Sequence, residues 1–595
     1  MKILLVACNA KYIHSNLAVY DLQAYASDYA DHIVLKEYTI NQQKDDIMRD
    51  IYLEHPDVVC VSCYIWNLSF VKELMADLIK ILPGADFWAG GPEVSYDAEK
   101  FLAENSEFKG VMVGEGEETF KELAGYYVEK NPQNLKDMTG ICYRDGDRII
   151  HNGWRQIMDL SSIPFIYKDL SEFKNRIIYY ESSRGCPFSC SYCLSSVEKQ
   201  LRFRDAELVK KELQFFIDRE VPQVKFVDRT FNCNHAHAME IWSYIKEHDN
   251  GITNFHFEIS ADLLREEELA LIGTMRPGLI QLEIGVQSTN GATIKEIHRT
   301  MQLERLKEVV KEVQKHENIH EHLDLIAGLP FEDYDTFAKS FDEIYELRPN
   351  QLQLGFLKVL KGSYMYEHAK EYEIEYHSRP PYEVLKTKWL PYEDVLKIRQ
   401  VEEMLEVYYN SGQFEITMKV LGVLFKSAFF MFQELGKYYE RNGYFGMSHA
   451  RIRRSEILLE FIKETFAGDI TAGEQRNITE TGKKADHLEI LDIIKESLIF
   501  DLYYRENCKS RPAWAKDLSV WKQVTRAYCK NGKQSHVECF SYRFPDKGER
   551  VLKELPKRAG KPLYALFDYT DRDPLDHQAK VTWIMEDEDA GLCSH

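Results

Sequence analysis

The chain has 595 residues, 44% hydrophobic and 29% charged, which is typical of a globular protein with two to four domains. Its formal net charge of −21 excludes a globally basic surface for nucleic acid and leaves only local basic regions. Twelve cysteines in a chain of this length exclude a disulfide scaffold, and no apolar run of about 18 residues predicts a membrane span.

Residues 1–130 alternate predicted strands and helices. Apolar runs predict five strands, at 3–8, 32–38, 57–62, 85–89 and 109–113. Helical patterns separate them, so the segment predicts a parallel sheet covered by helices, as in Rossmann-like and flavodoxin-like domains. Ligands of such sheets bind at the carboxyl ends of the strands. Three of these ends are small or glycine-rich, which lets a bulky ligand approach the backbone.

Residues 131–170 are expected to connect this domain to a second one. The Asp145-Gly146 turn within the connector predicts a β-hairpin. From 171 to 360 the alternation of strands and helices resumes. Six further strands are predicted, at 177–181, 224–228, 254–258, 279–285, 322–327 and 352–360. The second domain is therefore also expected to be a parallel β/α array.

The loop after the first strand of this array holds Cys186, Cys190 and Cys193 in the spacing C-x-x-x-C-x-x-C. Three thiolates can hold three irons of a cubic iron–sulfur cluster and leave the fourth iron open to another ligand. An open iron is typical of a cluster that binds a molecule and reacts with it. A structural zinc site is the alternative, but such sites usually add a second cysteine pair or histidines, and no such pair is nearby.

The run Gly185-Cys-Pro-Phe-Ser-Cys-Ser-Tyr-Cys193 resembles the cluster loop of radical S-adenosylmethionine (SAM) enzymes, including the aromatic Tyr192 before the third cysteine. The resemblance implies a partial (β/α)6 barrel and a 4Fe-4S cluster on the three cysteines, whose open iron chelates SAM. It also implies reductive cleavage of SAM to a 5′-deoxyadenosyl radical, with flavodoxin or ferredoxin as the electron donor. Such an oxygen-sensitive cluster implies an anaerobic enzyme in a reducing cytoplasm.

Polar residues follow the strands of the second array where SAM is expected to bind. Carboxylates and amides suit the ammonium and hydroxyl groups of SAM, and Arg229 suits its carboxylate. The Gly-Gly-Glu usual in the family is absent, and Asp228-Arg229 stands in its place. For any one candidate, a structural ion pair or loop contact is an equal alternative. The candidate SAM contacts are Tyr192, Asp228, Arg229, Glu258, Ser260, Gln287, Ser288 and Asp324.

Two segments of the first domain, 90–95 and 114–117, resemble the cobalamin-binding domain that precedes many radical SAM enzymes. The resemblance implies cobalamin at the sheet edge. The implied contacts are Ser62, Tyr64, Gly90, Gly91, Glu93, Val94, Gly114, Glu115 and Gly116. The usual histidine element after the first strand is missing, and we expect His14 to bond locally instead of binding cobalt. A flavodoxin-like domain that binds a nucleotide or nothing is the alternative.

Residues 361–595 are predicted to form a mostly α-helical domain with a β-containing tail. Long helices are predicted at 382–410 and 415–440, and strands at 536–542, 562–567 and 581–584. The segment from 505 to 561 is rich in lysine and arginine interleaved with aromatic residues, which suits a phosphate backbone with stacked bases. A solvated basic surface is an equally good interpretation.

Together these features resemble a cobalamin-dependent radical SAM enzyme whose last domain has no defined role, and three functions remain open. The first is methyl transfer from methylcobalamin to an unactivated carbon, with a modified tRNA nucleoside as the hypothetical acceptor. The second is a radical oxidation or rearrangement of a small molecule without methyl transfer. The third is a cobalamin-sensing or nucleic-acid-binding protein, against which the intact cysteine triad argues.

Overall fold

The computed structural model describes residues 1–129, 134–197, 199–467, 478–529, 534–545 and 548–584. Residues 131–133 of the predicted connector, and 530–533 and 546–547 of the basic segment, lie outside the described residues. No described helix is both long enough and apolar enough to cross a membrane.

The first domain contains a seven-stranded sheet. Its strands are β1 (Ile3–Asn9), β2 (Ile33–Thr39), β3 (Val58–Ser62), β4 (Asp86–Gly90), β5 (Gly110–Met112), β6 (Ile141–Asp145) and β7 (Arg148–His151). Its helices are α1 (Leu17–Tyr25), α2 (Lys44–Leu53), α3 (Leu68–Ile81), α4 (Pro92–Ser95), α5 (Ala98–Glu104) and α6 (Glu117–Val128). The strand order is β2-β1-β3-β4-β5-β6-β7, with β1 to β5 parallel. The five predicted strands are therefore confirmed.

The predicted hairpin of the connector is present as β6 and β7, and it extends the first sheet. Strand β6 pairs antiparallel with β5, and β7 pairs with β6. Apolar side chains of β6 complete the core on one face of the sheet, where Ile141 and Tyr143 are buried beside Trp88 of β4. The first structural unit thus reaches to His151, and the chain links the two sheets only after that residue.

The second sheet has six parallel strands in the order β15-β14-β13-β12-β11-β8, which is the predicted partial barrel. Its strands, with the two-residue ribbon β9–β10, are β8 (Ile178–Tyr180), β9 (Ser183–Arg184), β10 (Arg202–Phe203), β11 (Gln223–Phe226), β12 (Asn254–Ile259), β13 (Ile280–Gln287), β14 (His320–Ala327) and β15 (Gln351–Phe356). Its helices are α7 (Ala206–Asp218), α8 (His235–Glu247), α9 (Glu266–Gly273), α10 (Gly291–Glu296), α11 (Leu303–Gln314), α12 (Tyr334–Tyr345) and α13 (Tyr364–His368).

The strands of the barrel alternate between apolar and polar residues. In β13 the apolar residues at every second position are buried, whereas Gln281, Glu283 and Gln287 between them are only partly buried. Because side chains of a strand point alternately to its two faces, the apolar set packs under the helices and the polar set lines the inside of the barrel. The interior of this barrel is therefore polar.

The remaining elements are mostly helical and end in a three-stranded antiparallel sheet. They are β16 (Glu375–Tyr376), β17 (Val384–Lys386), α14 (Tyr392–Leu405), α15 (Glu415–Leu424), α16 (Ala428–Arg441), α17 (Arg451–Ala467), α18 (Glu480–Lys484), α19 (His487–Arg505), α20 (Lys522–Tyr528), β18 (Ser535–Tyr542), β19 (Arg558–Arg572) and β20 (Ala579–Ile584). The predicted tail strands are confirmed. The core is continuous with that of the barrel, since Phe341 of α12 packs on Phe429 of α16 with ring centroids 5.4 Å apart.

Two predicted helices of this region differ from the structure. The helix predicted from residue 382 begins at Tyr392, because β17 pairs with β16 and Pro391 then starts the helix as its N-cap. The helix predicted over 415–440 is two helices, because the chain is extended at Phe425 and Ser427. Ser427 begins the second helix by accepting a hydrogen bond from the backbone N–H of Phe430.

Candidate active site

A cleft of about 450 Å³ lies between the first sheet and the barrel. The first domain contributes the loops after β1 and β3, and the barrel contributes β8 with the segments that follow β8 and β11. These are carboxyl ends of parallel strands in both units, where the ligands of such sheets bind. Of the predicted contacts, Tyr64 and Arg229 line this cleft from opposite sides.

An aromatic pair forms the first-domain side of the cleft. The rings of Tyr64 and Trp66 are stacked, with centroids 4.4 Å apart and planes inclined by 7°. Trp66 is 44% exposed, which is unusual for so large an apolar side chain and suits contact with an apolar ligand face. Ser62, at the end of β3, accepts a hydrogen bond from the Asn16 side chain and thereby fixes the preceding loop.

His14 lies in the loop after β1 and lines the same cleft. Its Nδ1 atom is 2.7 Å from the hydroxyl oxygen of Tyr179 in β8. We expected the His14 side chain to bond within its own loop. Its side-chain partner is instead Tyr179 on the barrel, 165 residues away in the sequence. His14 thus helps to hold the two domains together.

The glycines at the edge of the first sheet are required by close packing. Gly91 has φ +108°, and a Cβ atom there would lie 2.6 Å from the backbone oxygen of Cys63. Gly114 has φ +80°, and its Cβ would lie 3.0 Å from the Trp154 ring. A Cβ on Gly116 would lie 2.9 Å from Leu22. The loops after β4 and β5 therefore pack so closely against neighbouring residues that a side chain at these positions would clash.

Glu93 and Val94 do not line the cleft. Both are buried on α4, and the Glu93 carboxyl meets Tyr382 and Lys361, which follow the barrel. Burial raises the pKa of Glu93, and Tyr382 and Lys361 partly oppose that rise. Helix α4, which follows Gly90 at the end of β4, thus contacts the C-terminal part of the chain.

Glu115 is an ion-pair partner of the cluster loop, together with Glu117. The Arg184 guanidinium, two residues before Cys186, lies 3.0 Å from Glu115 and 2.7 Å from Glu117. It also lies 2.8 Å from Glu181. Burial alone would raise the pKa of Glu117, but Arg184 outweighs it and holds that pKa below its usual value. This network, which the sequence reasoning missed, joins the edge of the first sheet to the cysteine loop.

The three cysteines of the loop carry free thiols. Cys186 and Cys190 are each 8% exposed, and Cys193 is partly exposed. The partly buried Arg299 guanidinium lies 3.8 Å from the Cys190 sulfur, donates to the Tyr192 hydroxyl at 3.3 Å and also donates to the backbone oxygen of Gly285. Three thiols outside any disulfide, on one loop beside the Arg299 cation, are suited to hold an iron–sulfur cluster with a net negative charge. Tyr192 orients this arginine.

Three of the predicted SAM contacts are occupied by bonds within the protein. Asp228 is fully buried and accepts hydrogen bonds from the backbone and hydroxyl of Ser182, at 3.0 and 2.6 Å, and from the Ser183 hydroxyl. Burial raises its pKa to about 6, although these bonds oppose the rise. The Ser260 hydroxyl donates to Asp262, and the Ser288 hydroxyl donates to Glu332. These residues hold the strand-end loops in place.

The other predicted SAM contacts retain groups that a ligand could use. Among the described residues, Arg229 has no hydrogen-bond or ion-pair partner and lines the cleft. Burial raises the pKa of Glu258 to about 7, and the charge of Arg229 opposes that rise. Gln287 has φ +75° and a buried Oε1 atom without a hydrogen-bond partner. Asp324 likewise has a buried oxygen without such a partner.

Comparison with known families agrees with this arrangement. Residues 3–124 match the B12 binding domain, and residues 180–344 match the radical SAM superfamily. The chain therefore contains a B12-binding domain followed by a radical SAM domain. The predicted cofactors cobalamin and SAM are thereby confirmed, and the radical SAM match agrees with a 4Fe-4S cluster on the cysteine loop. Residues 370–550 match DUF4080, a family of unknown function, which covers most of the described C-terminal helices.

Among curated proteins, the chain is similar to methyltransferases and to a cyclase. It is 26% identical to 2-(S-pantetheinyl)-carbapenam-3-carboxylate methyltransferase of Streptantibioticus cattleyicolor, over 49% of this chain and 45% of that protein. Identity to the cobalamin-dependent radical SAM methyltransferase TokK of Streptomyces tokunonensis is also 26%, with the same coverage. It is 21% identical to the anaerobic magnesium-protoporphyrin IX monomethyl ester cyclase of Cereibacter sphaeroides, over 54% of each chain. The match thus spans about half of each relative's length.

Two solved structures share the fold of this chain. The cobalamin-dependent SAM radical enzyme OxsB, with aqua-cobalamin and SAM bound, superposes with a TM-score of 0.56 at 14% identity, over 84% of this chain and 79% of that chain. The radical SAM methyltransferase TsrM from Kitasatospora setae, with cobalamin and a 4Fe-4S cluster bound, superposes with a TM-score of 0.53 at 15% identity, over 64% and 81%.

Proposed function

We propose that the protein is a cobalamin-dependent radical SAM methyltransferase that acts on an unactivated carbon. The observation that carries the proposal is a cleft bordered by the strand ends of both the B12-binding sheet and the radical SAM barrel. Similarity to two methyltransferases, one of which is a cobalamin-dependent radical SAM enzyme, supports it. When bound, the cluster and SAM supply the radical chemistry, and cobalamin supplies the methyl group.

The residues of the chain bind and orient these groups. Arg184 fixes the separation of the two domains, because it pairs with carboxylates of both. Arg229 would hold the SAM carboxylate as a charge-assisted partner, and the stacked rings of Tyr64 and Trp66 would offer an apolar contact to cobalamin. A fixed separation matters, since a misplacement of about 1 Å can cost on the order of a hundredfold in rate. The aromatic pair also excludes water from the reacting groups.

The test is to incubate the anaerobically reconstituted protein with SAM that carries a labelled methyl group and to quantify the products. Methyl transfer predicts that both 5′-deoxyadenosine and S-adenosylhomocysteine form and that the label reaches an acceptor. The Arg229→Met variant is expected to lower SAM affinity while iron content is unchanged. Formation of 5′-deoxyadenosine without S-adenosylhomocysteine would contradict methyl transfer.

The acceptor that we propose to test first is a modified nucleoside in tRNA. Support comes from α20, where Lys522, Arg526 and Tyr528 are exposed. Some other basic residues of this region pair within the protein, as Arg511 does with Glu538 and Lys516 with Glu496. The Lys522→Glu/Arg526→Glu variant is expected to weaken tRNA binding and to make it less dependent on salt. The proposal of a tRNA acceptor fails if tRNA neither binds nor gains mass on incubation with SAM.

A radical ring closure or oxidation of a small molecule is the second candidate function. The observation that favours it is the similarity to the anaerobic cyclase, over a share of this chain comparable to that matched by the methyltransferases. The two candidates use the same cofactors and differ in where the methyl group goes. Retention of the label in unreacted SAM and in methionine, with none in the product, would establish the second candidate.

A further inference from the structure

A row of ionisable residues crosses the inside of the barrel below the strand ends. In the parallel register, Glu258 of β12 lies beside Glu283 of β13, which lies beside His322 of β14. One step nearer the strand ends, Gly285 lies beside Asp324. Alternation along the strands therefore places Glu283, His322 and Asp324 on one face.

The three side chains converge on one point. One ligand atom from each of Glu283, His322 and Asp324 lies within 4.8 Å of the other two. His322 is only 7% exposed, and its Nε2 atom lies 3.1 Å from Asp324 Oδ1. Neither atom has any further hydrogen-bond partner among the described residues. His256, also 7% exposed, likewise has an Nε2 atom without such a partner, 3.0 Å from Glu283 Oε2.

We propose that Glu283, His322 and Asp324 bind a divalent ion of the zinc type inside the barrel, separate from the cluster. Imidazole nitrogen and carboxylate oxygen are both zinc ligands, and a cation at the point where the three side chains converge would neutralise the charge of the two carboxylates. Three protein ligands leave a fourth position open, as in catalytic zinc sites. That position suits a substrate oxygen, a role that rests on the proposed methyl transfer.

Lys225 is the competing cation in this part of the barrel. Its ammonium lies 3.1 Å from Glu283 Oε2, on the side of His256. If the cluster of side chains were purely structural, Lys225 would neutralise Glu283 and no metal would be needed. If the site binds a metal, removal of Lys225 removes a repulsive charge and strengthens binding. The metal site therefore predicts tighter zinc binding in Lys225→Met, whereas a purely structural cluster predicts no bound zinc in the wild type and only a loss of stability in this variant.

The test uses the full chain reconstituted with its cluster and cobalamin, because zinc is distinct from both iron and cobalt. After addition of Zn²⁺ and gel filtration, elemental analysis measures bound zinc per chain. We expect about one zinc per chain in the wild type, with affinity lowered by roughly a hundredfold or more in His322→Ala and Asp324→Asn, and raised about tenfold in Lys225→Met. Thermal unfolding of each variant checks that it is folded.

The zinc X-ray absorption spectrum of the wild type provides a second measurement that needs no variant. Nitrogen and oxygen neighbours at about 2.0–2.2 Å support the site. Sulfur neighbours at about 2.3 Å would place the zinc on cysteines and overturn the proposal. Equal zinc retention in wild type and His322→Ala, or no retention in either, would overturn it as well. These outcomes do not depend on methyl transfer, so failure of the zinc site is distinguishable from failure of the proposed reaction.

Discussion

Replacement of Arg184 tests whether the two domains are held together at the cluster loop. Arg184→Met removes the cation that pairs with Glu115, Glu117 and Glu181. The side chains of these carboxylates are only 14%, 7% and 17% exposed. Loss of one partner of a buried ion pair leaves an uncompensated charge, which typically costs about 3–5 kcal/mol. Because Arg202 still pairs with Glu115, we expect the lower end of that range.

Arg184→Lys is the graded version of this change. Lysine keeps the charge but presents a single ammonium in place of the planar fork that reaches three carboxylates. The loss is expected to be about 1.5–3 kcal/mol, the contribution of one charged hydrogen bond. Combining Arg184→Met with Glu117→Gln should recover part of the loss, since the second change removes the stranded carboxylate.

The assay is urea unfolding at neutral pH, with Arg148→Met as the matched control. Arg148 is 77% exposed and pairs only with Asp145, so its loss is expected to cost less than about 1 kcal/mol. The Arg184 variants should also slow methyl transfer more than they weaken SAM binding, because the domain separation changes. The reasoning is refuted if Arg184→Met is as stable as Arg148→Met, or if the double variant loses the full sum of both single losses.

Three further predictions concern single residues. Burial raises the pKa of Glu321 from 4.5 to about 8, so its protonated form stabilises the fold fully below about pH 4.5, and stability falls as pH rises to 8. In urea unfolding, Glu321→Gln should remove about 1.4 kcal/mol per pH unit from the pH dependence of the unfolding free energy. The control Glu267→Gln, at an exposed position, should leave that dependence unchanged. A pH dependence that persists in Glu321→Gln would contradict the assignment. Arg299→Met should lower iron retention after reconstitution without loss of folding, and unchanged iron would show that this cation does not stabilise the cluster. Gly91→Ala should lower the free energy of unfolding by about 1–3 kcal/mol and weaken cobalamin binding, because φ is +108° and the added Cβ would lie 2.6 Å from a backbone oxygen. The control Gly84→Ala should leave both unchanged, because no atom lies within 4 Å of its added Cβ.

The sequence predicted the two sheets and the cysteine loop because these depend on local patterns. Each strand is a short apolar run, and each run ends in small or polar residues that also mark the ligand edge. The spacing of Cys186, Cys190 and Cys193 is sufficient to indicate the cluster. The prediction began α14 too early, at residue 382. The three residues of β17 form a strand only because they pair with β16, and periodicity alone does not distinguish so short a strand from a helix turn.

The parts that could not be predicted depend on residues distant in sequence. Arg299 lies 109 residues from Cys190, and Arg184 lies 69 residues from Glu115. The position of Glu115 after a strand suggested a ligand contact. Glu115 is instead an ion-pair partner of Arg184, because the two domains lie against each other. The sequence could have indicated that His322 and Asp324 line the barrel interior, because polar residues at alternate positions of an apolar strand share one face.

The most direct test of the central claim is the cobalt and iron content of the chain after anaerobic reconstitution with hydroxocobalamin and iron sulfide. The account predicts about one cobalt and about four irons per chain, with iron lost and cobalt kept when Cys186, Cys190 and Cys193 are replaced by alanine. Four irons without cobalt would contradict the account, because the cleft between the two domains would then hold no methyl donor.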